Sequence, residues 1–246
     1  MVDHPHNKKT IDLVPDHVAV IMDGNGRWAQ KLGKERKEGH QEGMEAIRRV
    51  TVRASQRGVK VLTLYAFSTE NWKRPPQEVK FLMQLPVTFF DRFVPELQEN
   101  NVKVNMIGFR KNVPGPTRKS IEKAIDQTKD NTGMILNFAF NYGGRAEIIE
   151  ATKSVIDKVL SGELNKKEVT EETLQAELLT NSIAPYDNVD LLIRSSGEQR
   201  LSNFLLWQNA YSEFYFSKLY WPDFTGDIFD EALLDYQSRS RRYGAI

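Results

Sequence analysis

Short apolar runs alternate with amphipathic stretches along the whole chain. The runs 17–22, 59–66, 102–108, 134–140 and 189–194 are rich in β-branched and aromatic residues and read as buried strands. Glu213–Phe216 is a shorter sixth candidate. Between the first two runs, Met44, Ile47, Val50, Thr51 and Ala54 recur at helical spacing, and Glu42, Glu45, Arg48, Arg49 and Arg53 fill the other faces. Gly58 stops that helix and Thr170 caps a later one. Strands alternating with helices predict an α/β fold, a mostly parallel sheet covered by helices on both faces.

One helix departs from the amphipathic pattern. Over 77–100 it carries Val79, Phe81, Leu82, Met83, Leu85, Val87, Phe89, Phe90, Phe93, Val94 and Leu97, so more than one face is apolar. Pro86 in its interior predicts a kink. A central helix buried on two sides accounts for this pattern, and so does the wall of a long apolar tunnel.

A length of 246 residues fits one large α/β domain or two small ones. No repeat, low-complexity tract or long linker divides it, and 161–167 reads as a surface loop. The expected organisation is a mobile tail over 1–12 and a single domain over 13–246. Lys and Arg number 34 and Asp and Glu 33, so no overall field attracts nucleic acid. Cysteine is absent, which removes thiolate chemistry, disulfides and Cys-zinc sites. The polar start and the lack of an apolar run of about 20 residues lead to a cytoplasmic expectation.

In parallel sheets, ligands bind beyond the carboxyl ends of the strands. The first run ends in Asp23-Gly-Asn-Gly-Arg-Trp28, where glycines and a helix start suit an anion and Arg27 supplies a fork of donors. Asp23 repels phosphate, so its presence there points to a bridging cation, usually Mg²⁺. Arg36 and His40 follow and fit the same anion; His40 is equally well placed as a helix-start residue. The second run leads to Ser68-Thr-Glu-Asn-Trp72 and Arg74, with Phe67 and Trp72 beside the polar groups. This fits either a capping loop or a half-apolar pocket. Asn141-Tyr-Gly-Gly-Arg145 repeats the glycine–arginine logic in weaker form. The fifth run ends at Arg194, with Arg200 and Ser202 around Gly197 as a second anion cradle; surface pairing of an arginine with Asp190 or Glu198 is the plainer alternative. Glu213 lies alone among aromatics, which calls for a metal or an arginine nearby. Two anion cradles, isolated acids and much apolar wall point to a prenyl diphosphate.

These motifs, together with Gly39-His40, Leu64-Tyr-Ala-Phe-Ser-Thr-Glu-Asn-Trp72, the segment 190–200 and Ser202-Asn-Phe-Leu-Leu-Trp207, resemble the cis-prenyltransferases over about 17–244. Ser195 stands where threonine is usual, which keeps the hydroxyl. The resemblance implies a six-stranded parallel sheet with an apolar product tunnel along the 81–97 helix and Ala66 keeping it open. It also implies repeated cis addition of isopentenyl diphosphate to farnesyl diphosphate, yielding a long carrier lipid for cell-wall synthesis. Gly24, Asn25, Gly26, Arg27, Arg36 and His40 would hold the allylic diphosphate. Arg194, Arg200, Leu201 and Ser202 would hold isopentenyl diphosphate. Trp28, Ser68, Thr69, Glu70, Trp72 and Arg74 would position substrate. Asp23 and Glu213 match the family's Mg²⁺ positions. Asn71 matches a residue assigned to proton removal, although diphosphate itself is an alternative acceptor. A homodimer follows too, with Arg242-Tyr-Gly244 reaching the neighbouring site, and a transient membrane-surface contact at product release.

Other readings are a non-catalytic partner subunit, disfavoured by the full set of acids and arginines, and an aspartyl-nucleophile phosphatase, disfavoured by Asn25 two residues after Asp23. The Asp-rich motifs of all-helical trans-type synthases are absent.

Overall fold

The computed structural model describes residues 10–239. Within them the strands are β1 (His17–Ile21), β2 (Val61–Ser68), β3 (Lys103–Ile107), β4 (Ile135–Tyr142), β5 (Leu191–Arg194) and β6 (Glu213–Phe216). The helices are α1 (Asn25–Lys31), α2 (Arg36–Arg57), α3 (Pro76–Glu99), α4 (Gly115–Gln127), α5 (Gly144–Ser161), α6 (Glu171–Gln175) and α7 (Gly226–Ser238). The strands form one sheet in the order β3-β4-β2-β1-β5-β6, and every pairing is parallel. All six expected strands are present, with β2 and β4 each running two residues further than the apolar pattern, to Ser68 and Tyr142. Polar residues at those ends still pair along the sheet, which hydropathy alone does not register.

Side chains of successive strand residues alternate between two cores. Val18, Val20, Leu62, Leu64 and Leu136 pack under α2, α3 and α7. Ala19, Ile21, Tyr142 and Leu192 pack with Phe204 and Leu205 on the other face. Gly58 ends α2 in the left-handed conformation, and the Thr170 hydroxyl caps α6. α3 runs through both Pro86 and Pro95, and the Thr117 hydroxyl of α4 donates to Met83 O (2.7 Å), in the turn before Pro86.

Of the expected tail, 1–9 lies outside the described residues, and 10–12 is fastened to α7. Gln237 accepts from the amides of Asp12 (2.6 Å) and Leu13 (2.9 Å) and donates to Thr10 O (3.1 Å). The lateral order of the strands switches at β1: β2 lies on one side and β5 on the other. The cleft beyond these three strand ends is therefore the place where a doubly wound sheet opens to a ligand.

Candidate active site

A cavity of about 650 Å³ opens at that point. Its mouth is lined by Asp23, Asn25, His40, Ser68, Glu70, Asn71, Arg74, Arg194, Arg200, Ser202 and Asn203. Its body is apolar, formed by Ile47 of α2, Leu82, Leu85, Pro86, Phe89 and Phe90 of α3, Ile121 of α4 and Phe138 and Phe140 of β4. Ala66 also lines it. A charged mouth leading into an apolar body matches a ligand with an anionic head and a hydrocarbon tail.

Asp23 follows β1 directly. Its backbone is pinned by Ser195, whose hydroxyl accepts from Asp23 N (2.9 Å) and donates to Asp23 O (2.7 Å). The carboxylate meets Arg194 at 2.9 Å and Arg27 at 3.1 Å. Burial alone would raise its pKa, but the hydrogen bond and charge of Arg194, with the charge of Arg27, outweigh that and hold it below the usual carboxylate range. Arg194 is only 3% exposed and also donates to Ser202 Oγ (2.8 Å) and Arg200 O. The Arg27 guanidinium reaches Ser196 Oγ (2.7 Å) and Glu198 (3.1 Å), and Glu198 also pairs with Arg200. The alternative surface pairing thus describes Arg200, whereas Arg194 is buried against Asp23.

Gly24 precedes α1 at φ 100°, a conformation that costs other residues, and an added Cβ would stand 2.5 Å from the Tyr220 ring. At Gly26 a Cβ would stand 2.7 Å from Arg36 Cζ, so the missing side chain lets the Arg36 guanidinium lie over the start of α1. Arg36 opens α2, and His40 is the fifth residue of that helix. Burial, reinforced by the charge of Arg74, lowers the His40 pKa to about 4, so its ring is neutral at pH 7. Arg36, His40 and Arg74 all face the carboxylate of Glu78 on α3. Sequence reasoning missed Glu78; its one local signal is the four-residue spacing from Arg74 at a helix start.

The 3₁₀ turn Thr69–Lys73 is closed by a reciprocal cap in which Asn71 Oδ1 accepts from Ser68 N (3.1 Å). Glu70 accepts from Asn203 Nδ2 (2.8 Å), which ties this turn to the loop bearing Arg200 and Ser202. The Trp72 indole donates to Asn141 Oδ1 (2.7 Å), and Asn203 Oδ1 accepts from Arg145 N (2.8 Å). The Asn141–Arg145 motif is thus a frame for the mouth loops rather than a third anion cradle.

Several expected residues stand elsewhere. Trp28 lies outside the cavity lining, its indole N–H held by Asp223 (2.7 Å). Leu201 packs into the core on the other face of the sheet. Thr69 and Trp72 support the mouth without lining it. Glu213 pairs with Leu191 at the start of β5, whereas Arg194 at its end pairs with Phe216. Three residues at about 3.3 Å each put Glu213 roughly 10 Å down the sheet from the Asp23 end. Its partner there is Arg239 (2.7 Å), the arginine alternative anticipated for a lone acid among aromatics. Within one chain Glu213 and Asp23 are not brought together. The segment 242–244 lies outside the described residues.

Residues 21–244 match the Prenyltransf family model, that of undecaprenyl diphosphate synthase. The chain is 55% identical to the isoprenyl transferase of Enterococcus faecalis over 95% of its own length and 86% of the relative's. It is 53% identical to the ditrans,polycis-undecaprenyl-diphosphate synthase ((2E,6E)-farnesyl-diphosphate specific) of Lactiplantibacillus plantarum, over 96% of this chain and 91% of that one. Among solved structures it superposes with a TM-score of 0.90 on lavandulyl diphosphate synthase from Lavandula x intermedia in complex with dimethylallyl diphosphate. The two are 39% identical, over 94% of this chain and 98% of that one.

Proposed function

Because the chain belongs to the undecaprenyl diphosphate synthase family of cis-prenyltransferases, we propose that it extends farnesyl diphosphate with isopentenyl diphosphate to a long polyprenyl diphosphate. The observation that carries this reading is the continuity of an arginine-rich mouth with an apolar cavity of about 650 Å³. The allylic head group sits on Gly24, Asn25, Gly26, Arg27, Arg36 and His40, of which Asn25 and His40 line the cavity and the others flank it, with Arg74 joined to Arg36 through Glu78. Isopentenyl diphosphate sits on Arg194, Arg200 and Ser202. The growing chain runs between β2, β4 and α3, which makes the cavity the product tunnel.

The donor set fits a magnesium ion. Mg²⁺ keeps several waters and takes one or two carboxylates together with substrate phosphates, so Asp23 at the end of β1 suffices, while Glu70 and Glu78 at the same mouth are engaged by Asn203 and by Arg36 and Arg74. When bound, the ion neutralises diphosphate charge and eases its departure. Glu213 joins such a site only through another arrangement than one chain provides.

In the condensation, the bond from the allylic C1 to diphosphate breaks, C1 bonds to the terminal alkene carbon of isopentenyl diphosphate, and a proton leaves the adjacent methylene. Arg27, Arg36 and Arg74 supply donors for the charge that grows on the departing group once the carboxylates they hold, Asp23 and Glu198 at Arg27 and Glu78 at Arg36 and Arg74, give way. Asn71 is not a base, and its Oδ1 is committed to the Ser68 amide. The departing diphosphate is therefore the better proton acceptor, and Asn71 shapes the turn beside it.

The chain acts as a homodimer in this reading. β6 is an edge strand of sequence EFYF, half-buried along its length, and α5 exposes Ile149, Ile156 and Leu160. Open strand edges and apolar stripes of this kind call for a cover. No helix among the described residues is long and apolar enough to cross a membrane. In this reading the long apolar product is released by transient contact with a membrane surface.

The test is incubation with farnesyl diphosphate, labelled isopentenyl diphosphate and Mg²⁺, with product lengths resolved. A ladder of long products that disappears on chelation is expected. No incorporation by the purified chain overturns the reading in favour of a partner subunit.

A further inference from the structure

Three cationic or potentially cationic groups from two parts of the chain converge on a single oxygen. Glu78 Oε1 lies 3.0 Å from Arg74 Nη1, 3.3 Å from Arg36 Nη2 and 3.8 Å from His40 Nε2. The last distance is too long for a hydrogen bond, and His40 Nε2 is a buried polar atom without a partner. The carboxylate is itself largely buried, 17% exposed. Burial would raise its pKa, but the charges of Arg36 and Arg74 prevail and hold it below the ordinary glutamate range, so it is ionised at neutral pH. A carboxylate therefore stands where Arg36, Arg74 and His40 would grip an anion.

We propose that Glu78 is a resident anion of the allylic subsite, which holds Arg36 and Arg74 in place and has to be displaced by the incoming diphosphate. This rests on the reading of Arg36 and His40 as diphosphate ligands. Two anions do not share one set of donors without strong repulsion in a partly buried site. Occupation by Glu78 keeps the guanidinium groups ordered before substrate arrives, and each ligand contact is formed by exchange rather than from solvent. The exchange sets a threshold, because a ligand has to bind the arginines better than one carboxylate does. Diphosphate, with more charge and more acceptor oxygens than a carboxylate, clears that threshold more easily than monophosphate. Glu78 lies in the first turn of α3, and Leu82, Leu85, Pro86 and Phe89 further along that helix line the apolar cavity. Displacing the carboxylate thus acts on the same element that forms the tunnel wall.

The probe is inorganic pyrophosphate, titrated calorimetrically into the full-length protein in chelator at low salt. Glu78→Gln keeps the shape and removes the charge. It is expected to bind pyrophosphate about tenfold tighter than the unaltered protein, on the order of two partly exposed ion pairs plus the relieved repulsion. Glu78→Asp, which keeps the charge, gains less. The gain shrinks at high salt and is lost when Arg36→Ala is combined with Glu78→Gln, the coupling expected of groups in contact. Equal melting temperatures of Glu78→Gln and the unaltered protein show that the fold is intact. If Arg36→Ala weakens pyrophosphate binding but Glu78→Gln leaves it unchanged or weaker, the resident-anion proposal is overturned and the allylic reading stands. If Arg36→Ala has no effect on pyrophosphate binding, both are overturned.

Discussion

Replacing Asp23 with alanine removes the anion from the most buried ion pair of the mouth. Arg194 is 3% exposed, and its Nη2 meets the Asp23 carboxylate at 2.9 Å. Breaking a fully buried pair on one side costs about 3–5 kcal/mol, because the remaining charge is left desolvated. Two features reduce that here. Asp23 is itself 27% exposed, and Arg194 keeps the Ser202 hydroxyl at 2.8 Å and the Arg200 carbonyl as acceptors. Arg27 is half exposed to solvent and loses little. The expected loss is about 2–3 kcal/mol, which for a chain of this size corresponds to roughly 5–10 °C in melting temperature. Asp23→Asn, whose carbonyl still accepts from Arg194, should lose about half as much.

The same geometry makes a second, more specific prediction. A buried arginine without its carboxylate gains more from a bound anion than one already paired. Saturating pyrophosphate should therefore raise the melting temperature of Asp23→Ala by more than that of the unaltered protein. Thermal unfolding followed by circular dichroism, with and without pyrophosphate and in the presence of chelator, separates these terms. Turnover should be lost in Asp23→Ala even at temperatures where it is fully folded. An alanine variant that melts within about 1 °C of the parent, or equal pyrophosphate shifts in both proteins, would refute the account of Arg194 as a charge held by Asp23.

His17 and His40 are both buried with pKa values lowered to about 4, by desolvation above all. The unfolded chain takes up protons near pH 6.5 while the folded one does not, so stability is full above that pH and falls as the pH drops towards 4. Urea midpoints at pH 7.5, 6.5, 5.5 and 5.0 should fall progressively, with up to about 2 kcal/mol lost per histidine by pH 5.0; a flat profile between pH 7 and 5 refutes the assignment. Ala66→Leu adds bulk to a cavity wall rather than to packed core, so it should cost under about 1 kcal/mol of stability. It should shorten the longest product while the first condensation proceeds, and unchanged chain lengths would place the growing chain elsewhere.

The strands were legible because buried parallel strands are written as continuous apolar runs, and the sequence 17–22 leaves little else for them to be. The helix ends at Gly58 and Thr170 were legible because capping is a local affair of one side chain or one dihedral. Asp23 and Arg194 were legible as parts of two separate cradles because each lies at or just beyond a strand end; the ion pair that joins the cradles comes from the parallel pairing of β1 with β5. What the sequence hid depends on the third dimension. His17 sits in an apolar run yet serves the fold, its ring held between Thr63 Oγ1 (2.7 Å) and Asn188 O (3.1 Å). Asn141 and Arg145 carry the marks of an anion loop, but parallel pairing of β2 with β4 turns them into supports for Trp72 and Asn203.

Glu78 and Glu213 make the contrast sharpest. Glu213 precedes an aromatic run and Glu78 stands between Gln77 and Val79, four residues after Arg74, a weak signal that does not say which acid faces the site. The strand register puts Glu213 at the far end of the sheet with Arg239, and the crossing of α2 over α3 puts Glu78 among the arginines of the mouth. A motif read along the chain assigns chemistry to residue types; which acid faces the substrate is decided by where a strand begins and how two helices cross. That is why the acid without a motif holds the central place in the anion site, and why its removal tests the site more directly than the loss of a residue chosen by pattern.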